Sequence, residues 1–272
     1  MSRRPRSGTS DRSAFFDPQL PRVFAHRGLA IDAPENTLLA FVRALGIGVT
    51  YIETDVHATS DGVAVISHDA DISRLTGRPG RIGDFTMREL SDIDLGEGQS
   101  FVSLAQALDA FPLARFNIDI KARDAALPTV QAVSAARAEA RVLIASFSSS
   151  RRRMARRALY GVATSAAAGG SAVAVAACAI GLVPLARFAL RGVDAVQLPE
   201  RFRGIRVITG PIVRRLHAAG VEVHVWTVNE PEDMVRLLDI GVDGLVTDRA
   251  DLALEVVRSR DLGTTPTAGP VA

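Results

Sequence analysis

One cysteine, one lysine, one tryptophan and two tyrosines are all that the 272 residues hold of those types. Cys178 has no partner for an internal disulfide, which excludes a disulfide framework and favours a reducing, cytoplasmic setting. Aromatic residues make up 5% of the chain, and 32 basic residues face 30 acidic ones. That near-balance gives no broad basic field, so nucleic acid is not an expected partner. The first twenty residues carry Arg3, Arg4, Arg6 and Arg12 but no apolar core of the kind a secretory signal needs, and they read as a flexible basic tail. A charge-free stretch spans 158–186, between Arg157 and Arg187. It is dominated by Ala and Gly, interrupted at Gly169-Gly170 and Pro184, and too poor in Leu, Ile and Phe for stable membrane insertion.

What the chain does have is a repeated alternation. Short β-branched runs alternate with longer Ala/Leu-rich segments of helical period, the pattern of parallel strands joined by crossover helices. Eight strands are predicted, at 23–28, 51–56, 116–121, 141–147, 161–166, 194–199, 221–228 and 244–248. That count closes an α/β (β/α)8 TIM barrel over 21–258, with flexible tails at 1–20 and 259–272. Pro34-Glu35 opens a first helix that Gly46 can end, and 211–217 reads as another, ending at Gly220. After the second strand, Asp61-Gly62 turns into a hairpin partner at 63–69, and an irregular excursion to about residue 102 forms a lip over the mouth.

Polar groups fall at the carboxyl ends of these strands, where barrel enzymes carry their chemistry. Glu53 and Asp55 share one strand face, as do Asp119 and Lys121 on the next, so four charges point into one mouth. Crowded carboxylates repel unless a cation relieves them, and an all-oxygen set suits Mg²⁺ or Ca²⁺ better than Zn²⁺. His26 and His68 each end a strand-like run and are each followed by a charged residue, Arg27 and Asp69. Phosphodiester cleavage needs one group to activate an attacking hydroxyl and another to protonate the departing alkoxide, which two imidazoles can do. Lys121 is the chain's one lysine among 31 arginines, as a compact ammonium on a phosphate oxygen would require, and Arg27 is a second candidate phosphate contact. Trp226 near the rim is placed to pack on substrate, and His224, two residues deeper, reads as a hydrogen-bonded core residue. His217 lies on an outward helix face with no expected task, and His57 faces either the mouth or solvent.

In order and spacing, His26-Arg27-Gly28, Pro34-Glu35-Asn36-Thr37, Glu53-x-Asp55, Asp61-Gly62 with His68-Asp69, Asn117-Ile118-Asp119-Ile120-Lys121, Trp226-Thr227-Val228-Asn229 and Asp243-Gly244-Leu245-Val246-Thr247-Asp248 resemble the glycerophosphodiester phosphodiesterase family from about residue 22 to 252. The resemblance implies a TIM barrel that binds one divalent cation, Mg²⁺ or Ca²⁺, and hydrolyses glycerophosphodiesters to glycerol 3-phosphate and an alcohol. It places the metal carboxylates at Glu53, Asp55 and Asp119, the acid/base pair at His26 and His68, and substrate contacts at Arg27, Lys121 and Trp226. Asp119 departs from the family pattern, where the third carboxylate is usually glutamate. The segment after His68 lacks exposed aromatics, which favours a soluble, deacylated small molecule as substrate. The alternatives are a phospholipase-type barrel acting on intact or lyso lipids, and a Schiff-base aldolase using Lys121.

Overall fold

Eight short runs lie side by side as parallel strands in the computed structural model, which describes residues 13–262. They are β1 (Arg22–His26), β2 (Tyr51–Ala58), β3 (Arg115–Ile120), β4 (Val142–Ala145), β5 (Ala163–Thr164), β6 (Ala195–Pro199), β7 (Glu222–Trp226) and β8 (Gly244–Thr247). Strands pair in chain order, and β8 returns to β1 with Arg22 opposite Gly244 and Ala25 opposite Thr247. The seam between β5 and β6 is the weakest joint. It is held by a single bridge, Ser165 to Ala195, with Asp194 N donating to Thr164 O at 2.9 Å and Ala166 N to Ala195 O at 2.8 Å.

Around the strands run α1 (Leu38–Gly46), α2 (Leu104–Ala110), α3 (Ala126–Ala135), α4 (Ser149–Ala158), α5 (Ala168–Ala179), α6 (Val183–Ala189), α7 (Gly210–Ala219), α8 (Pro231–Asp239) and α9 (Ala250–Asp261). Local chemistry sets their starts. Thr37 Oγ1 accepts from Ala40 N at 3.3 Å to cap α1, and Ser103 with Gln106 forms a reciprocal capping box on α2. Period-two alternation then sorts the side chains. Val23, Ala25, Ile52 and Val56 face outward into the core shared with the helices, whereas Phe24, Tyr51, Leu143 and Val246 fill the barrel interior. The excursion after β2 pairs Ala64–Ile66 antiparallel with β2 and carries its own small core of Val65, Ile72, Ile82, Leu90 and Phe101.

Three expectations change. Residues 13–20 are no loose tail: a short 3₁₀ turn, Ala14–Phe16, pushes Phe15 and Phe16 under the barrel against Phe24 and Tyr51. Burying each ring is worth roughly 1.5–3 kcal/mol, enough to order the segment. At the other end α9 continues to Asp261, past the predicted boundary at 259, while 1–12 and 263–272, the rest of the expected tails, lie outside the described residues. The fifth strand shrinks from the predicted 161–166 to two residues, because Gly161 turns and the seam runs out of partners. Among the described residues no helix is long and apolar enough to cross a membrane, and the charge-free stretch is divided between β5, α5 and α6.

Candidate active site

β1, β2 and β3 deliver their polar groups to one level of the mouth. His26 stands opposite Glu53, Glu53 opposite Asn117, and Asp55 opposite Asp119. His26, Arg27, Glu53, Asp55, His68, Asp119, Lys121 and Trp226, every site residue nominated from sequence, line one cavity of about 860 Å³. Getting Arg27 there takes a special backbone: its φ is +58°, and the next residue, Gly28, turns at +86° so close to Ala40 that a Cβ would stand 2.7 Å from that residue's backbone carbon. Only glycine fits that turn without displacing α1.

Both nominated imidazoles are anchored in the same way. His26 Nδ1 lies 2.6 Å from Asp248 Oδ1, and His68 Nδ1 lies 2.7 Å from Asp69 Oδ1. A carboxylate acceptor places the proton on Nδ1 and leaves Nε2 for chemistry. His26 Nε2 is 3.8 Å from Glu53 Oε2. Burial opposes charge on His26, but its hydrogen bond to Asp248 and attraction by Glu53 outweigh it and raise its pKa. Asp248 is itself held by Asn229 Nδ2 at 2.8 Å, and Asp69 by Arg74 Nε at 2.5 Å. Arg74 also pairs with Glu35 at 2.5 Å, and Glu35 with Arg27 at 3.0 Å, so the excursion is tied to the loop after β1 by a chain of ions.

Lys121 stands between two carboxylates, its Nζ 2.7 Å from Asp55 Oδ1 and 2.9 Å from Asp119 Oδ2. Burial works against that ammonium, yet the two carboxylates hold it charged and raise its pKa. A Schiff-base amine must be neutral to attack a carbonyl, so this geometry speaks against the aldolase alternative. Glu53 has no ammonium that close and accepts instead from the Arg27 backbone N–H at 3.3 Å. Burial first, and the neighbouring Asp55 second, push its carboxyl up to about 8. Asp119 Oδ1 is buried without a hydrogen-bond partner, and so is Arg27 Nε, 3.5 Å from Asp55 Oδ2. Hard oxygen donors with an orphaned lone pair and incompletely neutralised charge fit a hard divalent cation in chemistry. Among the described residues no three acidic, histidine or cysteine groups already converge at ligating distance, and Lys121 fills the space between Asp55 and Asp119.

Several residues of the site escaped the sequence reading. Asp248 and Asn229 stood inside quoted motifs without a role, and so did Asn36, which bonds Thr54 Oγ1 at 2.7 Å and reaches Asp55 Oδ2 at 3.5 Å. His57 faces inward: its Nε2 donates to the His68 carbonyl at 3.2 Å, and burial keeps its pKa below the usual value. Asn117 Oδ1 and Gln197 Nε2 are buried without partners on the cavity wall. His224 is the hydrogen-bonded core residue expected, 3.1 Å from Glu222, whereas His217 is not idle and bonds Asp243 at 2.5 Å.

The family model for the glycerophosphoryl diester phosphodiesterase family matches residues 26–252. The chain belongs to that family. It is accordingly an enzyme of the phosphoric diester hydrolase class. Among curated relatives it is 46% identical over 240 residues, 88% of this chain and 91% of the other, to "Probable glycerophosphodiester phosphodiesterase 2" of Mycobacterium tuberculosis. A glycerophosphodiester phosphodiesterase of Caldanaerobacter subterraneus subsp. tengcongensis is 32% identical over 255 residues, covering 87% of this chain and 97% of that one. Among solved structures, an Oleispira antarctica phosphodiesterase in complex with the product sn-glycerol-3-phosphate superposes with a TM-score of 0.75 at 22% identity, covering 91% of this chain and 100% of the other. At that identity the likeness speaks for the barrel fold alone.

Proposed function

We propose that this chain hydrolyses glycerophosphodiesters to glycerol 3-phosphate and an alcohol, with His26 and His68 exchanging protons and Glu53, Asp55 and Asp119 holding one divalent cation, Mg²⁺ or Ca²⁺. Family membership and the relatives' names support the substrate class. The observation that carries the rest is the incomplete charge balance at the mouth. Three carboxylates, Glu53, Asp55 and Asp119, face Lys121 and Arg27, and Arg27 is shared with Glu35. With all three ionised, the carboxylates carry more charge than Lys121 and Arg27 offset, and the raised pKa of Glu53 reflects that crowding. A divalent cation would relieve it, favour the ionised form of Glu53, and supply Lewis-acid polarisation of a phosphoryl oxygen.

The chain's own residues then divide the work. Lys121 and Arg27 orient phosphate oxygens. Asp248 and Asp69 fix the tautomers of His26 and His68, so that each presents Nε2 to the diester from a different element. One imidazole withdraws the proton of the attacking hydroxyl and the other returns one to the departing alkoxide. Trp226 walls the rim, edge-on to Phe147 with ring centroids 6.2 Å apart. The test is release of glycerol 3-phosphate from glycerophosphocholine by purified protein with Mg²⁺, with Ca²⁺ and with chelator. Cation-dependent release is expected, and undiminished release in chelator would overturn the cation's part.

A further inference from the structure

Phe147 and the hairpin of Arg201–Phe202 with Ile205–Arg206 carry exposed apolar side chains, but these line the cavity of the active site and belong to it. A second exposed apolar set lies apart from that cavity. Ile180, at the end of α5, is 73% exposed and Phe188, in α6, is 68% exposed, with Leu182 and Leu185 exposed between them. Tyr160, leading into β5, is 98% exposed. The segment 180–193 leads into β6, so this flank runs down to the amino ends of the strands, away from the mouth. Large apolar side chains gathered on one surface mark a place that something covers.

Arginine surrounds these side chains, and acid is missing. Between Glu139 and Asp194 the chain holds eight arginines and no aspartate or glutamate, a local excess that the near-balance of the whole conceals. Helix α4 brings Arg153, Arg156 and Arg157, all exposed. Arg152 reaches the Gly192 carbonyl at 3.5 Å, and a Cβ on Gly192 would stand 2.8 Å from Arg156 Nη1, so α4 abuts the end of α6. Arg187 and Arg191 line, with Phe188, a cleft of about 450 Å³ backed by Pro184 and Ala219, and the Arg191 guanidinium lies 5.6 Å from the Phe188 ring centroid. Arg187 gives one N–H to the Ala218 carbonyl at 2.7 Å, and Arg215 gives one to the Cys178 carbonyl at 2.6 Å beside Ile180, which holds both guanidinium groups against the flank. Elsewhere Arg236, Arg249 and Arg260 each meet a carboxylate. Among the described residues none of the arginines of α4 and α6 has a carboxylate partner. Burial, then the nearby Arg156 and Arg153, hold the Arg152 pKa below its ordinary value, as crowded cations do.

We infer that this flank docks the protein on an anionic lipid bilayer, with arginines of α4 and α6 meeting lipid phosphates and Ile180, Leu182, Leu185 and Phe188 entering the interface. The mixture of side chains selects the partner. Arginine among exposed aliphatic and aromatic residues is the composition of segments that lie in a membrane interface, and a negatively charged leaflet attracts each guanidinium. A nucleic acid would satisfy the arginines and leave the aliphatic side chains in water. A second copy of the chain, set symmetrically on this surface, would bring arginine against arginine. The charge-free stretch 158–186 also gains a reason: too poor in Leu, Ile and Phe to span, it places three of its four such residues at Ile180, Leu182 and Leu185, facing out. Docked this way the mouth still opens to water, so the inference does not depend on the catalytic reading.

The test is sedimentation of the full chain with vesicles of phosphatidylcholine alone, or of phosphatidylcholine and phosphatidylglycerol in equal parts, at low and at physiological salt. Binding is expected on the phosphatidylglycerol vesicles, with little on phosphatidylcholine alone, and it should weaken as salt rises. Arg157→Ala combined with Arg191→Ala should weaken partitioning by about 10- to 30-fold, at about fivefold for each arginine. Ile180→Ser combined with Phe188→Ser, both at exposed positions, should weaken it at least about tenfold. Arg78→Ala combined with Arg88→Ala removes the same charge from the excursion after β2 and should change partitioning by less than about twofold. No binding to the phosphatidylglycerol vesicles overturns the inference, and so does an equal loss in the Arg78 and Arg88 pair, which would reduce the effect to net charge. Binding indifferent to Ile180→Ser with Phe188→Ser, or self-association of the lipid-free chain that this pair abolishes, would overturn it in favour of a polyanion or a second copy.

Discussion

Glu222 and Glu53 both sit inside the same barrel, one on its floor and one at its mouth, and their surroundings drive them in opposite directions. Burial penalises each charge. On the floor that penalty is overcome by Arg22, whose Nε and Nη2 donate to the carboxylate at 2.8 and 2.9 Å, and by His224 at 3.1 Å, which hold Glu222 well below the usual carboxylate range. The floor is closed in other respects too: Arg22 also bonds Tyr51 at 2.6 Å and the Phe16 carbonyl at 2.8 Å, and a Cβ on Gly244 would stand 2.8 Å from both His224 and Phe24. At the mouth Glu53 has only the Arg27 backbone N–H at 3.3 Å and His26 Nε2 at 3.8 Å, and its carboxyl rises to about 8. A barrel that finishes its ion pairs below and leaves them unfinished above separates holding itself together from handling an anion.

Breaking the mouth should cost turnover and spare the fold. His26→Ala and His68→Ala are each expected to lower kcat by on the order of 10²–10⁴ without lowering the thermal midpoint, checked by glycerol 3-phosphate release and calorimetry. Breaking the floor should do the reverse. Arg22→Met strands a buried carboxylate and should destabilise the protein by about 3–5 kcal/mol in urea titrations, with turnover per folded molecule near that of the wild type. Asp248→Asn is a smaller perturbation of the mouth. It should reduce kcat/KM on the order of 10- to 100-fold, and because Asp248 raises the His26 pKa, the limb of the pH profile belonging to His26 should move to lower pH.

Titration sharpens the contrast most finely. Glu222 is depressed, so its contribution to stability is present above its ordinary pKa of 4.5 and is lost as pH falls below it. Glu53 is raised from 4.5 to about 8, so metal-free protein should lose stability as pH climbs through that interval. Urea midpoints measured in chelator should therefore show Glu222→Gln flattening the profile below pH 4.5 and Glu53→Gln flattening it between pH 4.5 and about 8. Two variants with the same pH dependence would remove the distinction between floor and mouth.

What the sequence made legible was whatever one strand carries by itself. Glu53 and Asp55 share a face by period two, and His26, His68, Asp119 and Lys121 each announce themselves at the end of an apolar run, so the eight-strand closure and the residues lining the mouth could be read directly. What stayed hidden needs closure of the ring. Asp248 meets His26 across 222 positions of sequence, because β8 lies beside β1. Phe15 and Phe16 look like tail residues until the barrel floor exists to bury them. Phe202 and Ile205 sit in a run that carries Arg201, Arg203 and Arg206 and reads as surface, and the pairing of that hairpin turns both toward the cavity.

The incomplete mouth is tested most directly by thermal midpoints with and without millimolar Mg²⁺ or Ca²⁺, in the wild type, Asp119→Asn and Arg22→Met. A ligand that binds the folded state at about 100 times its Kd adds roughly 2.7 kcal/mol. The expected result is a rise in the wild type, the same rise in Arg22→Met from a lower starting point, and little or none in Asp119→Asn. A wild-type midpoint indifferent to both cations, or a rise that survives in Asp119→Asn, would contradict a cation site built from these carboxylates.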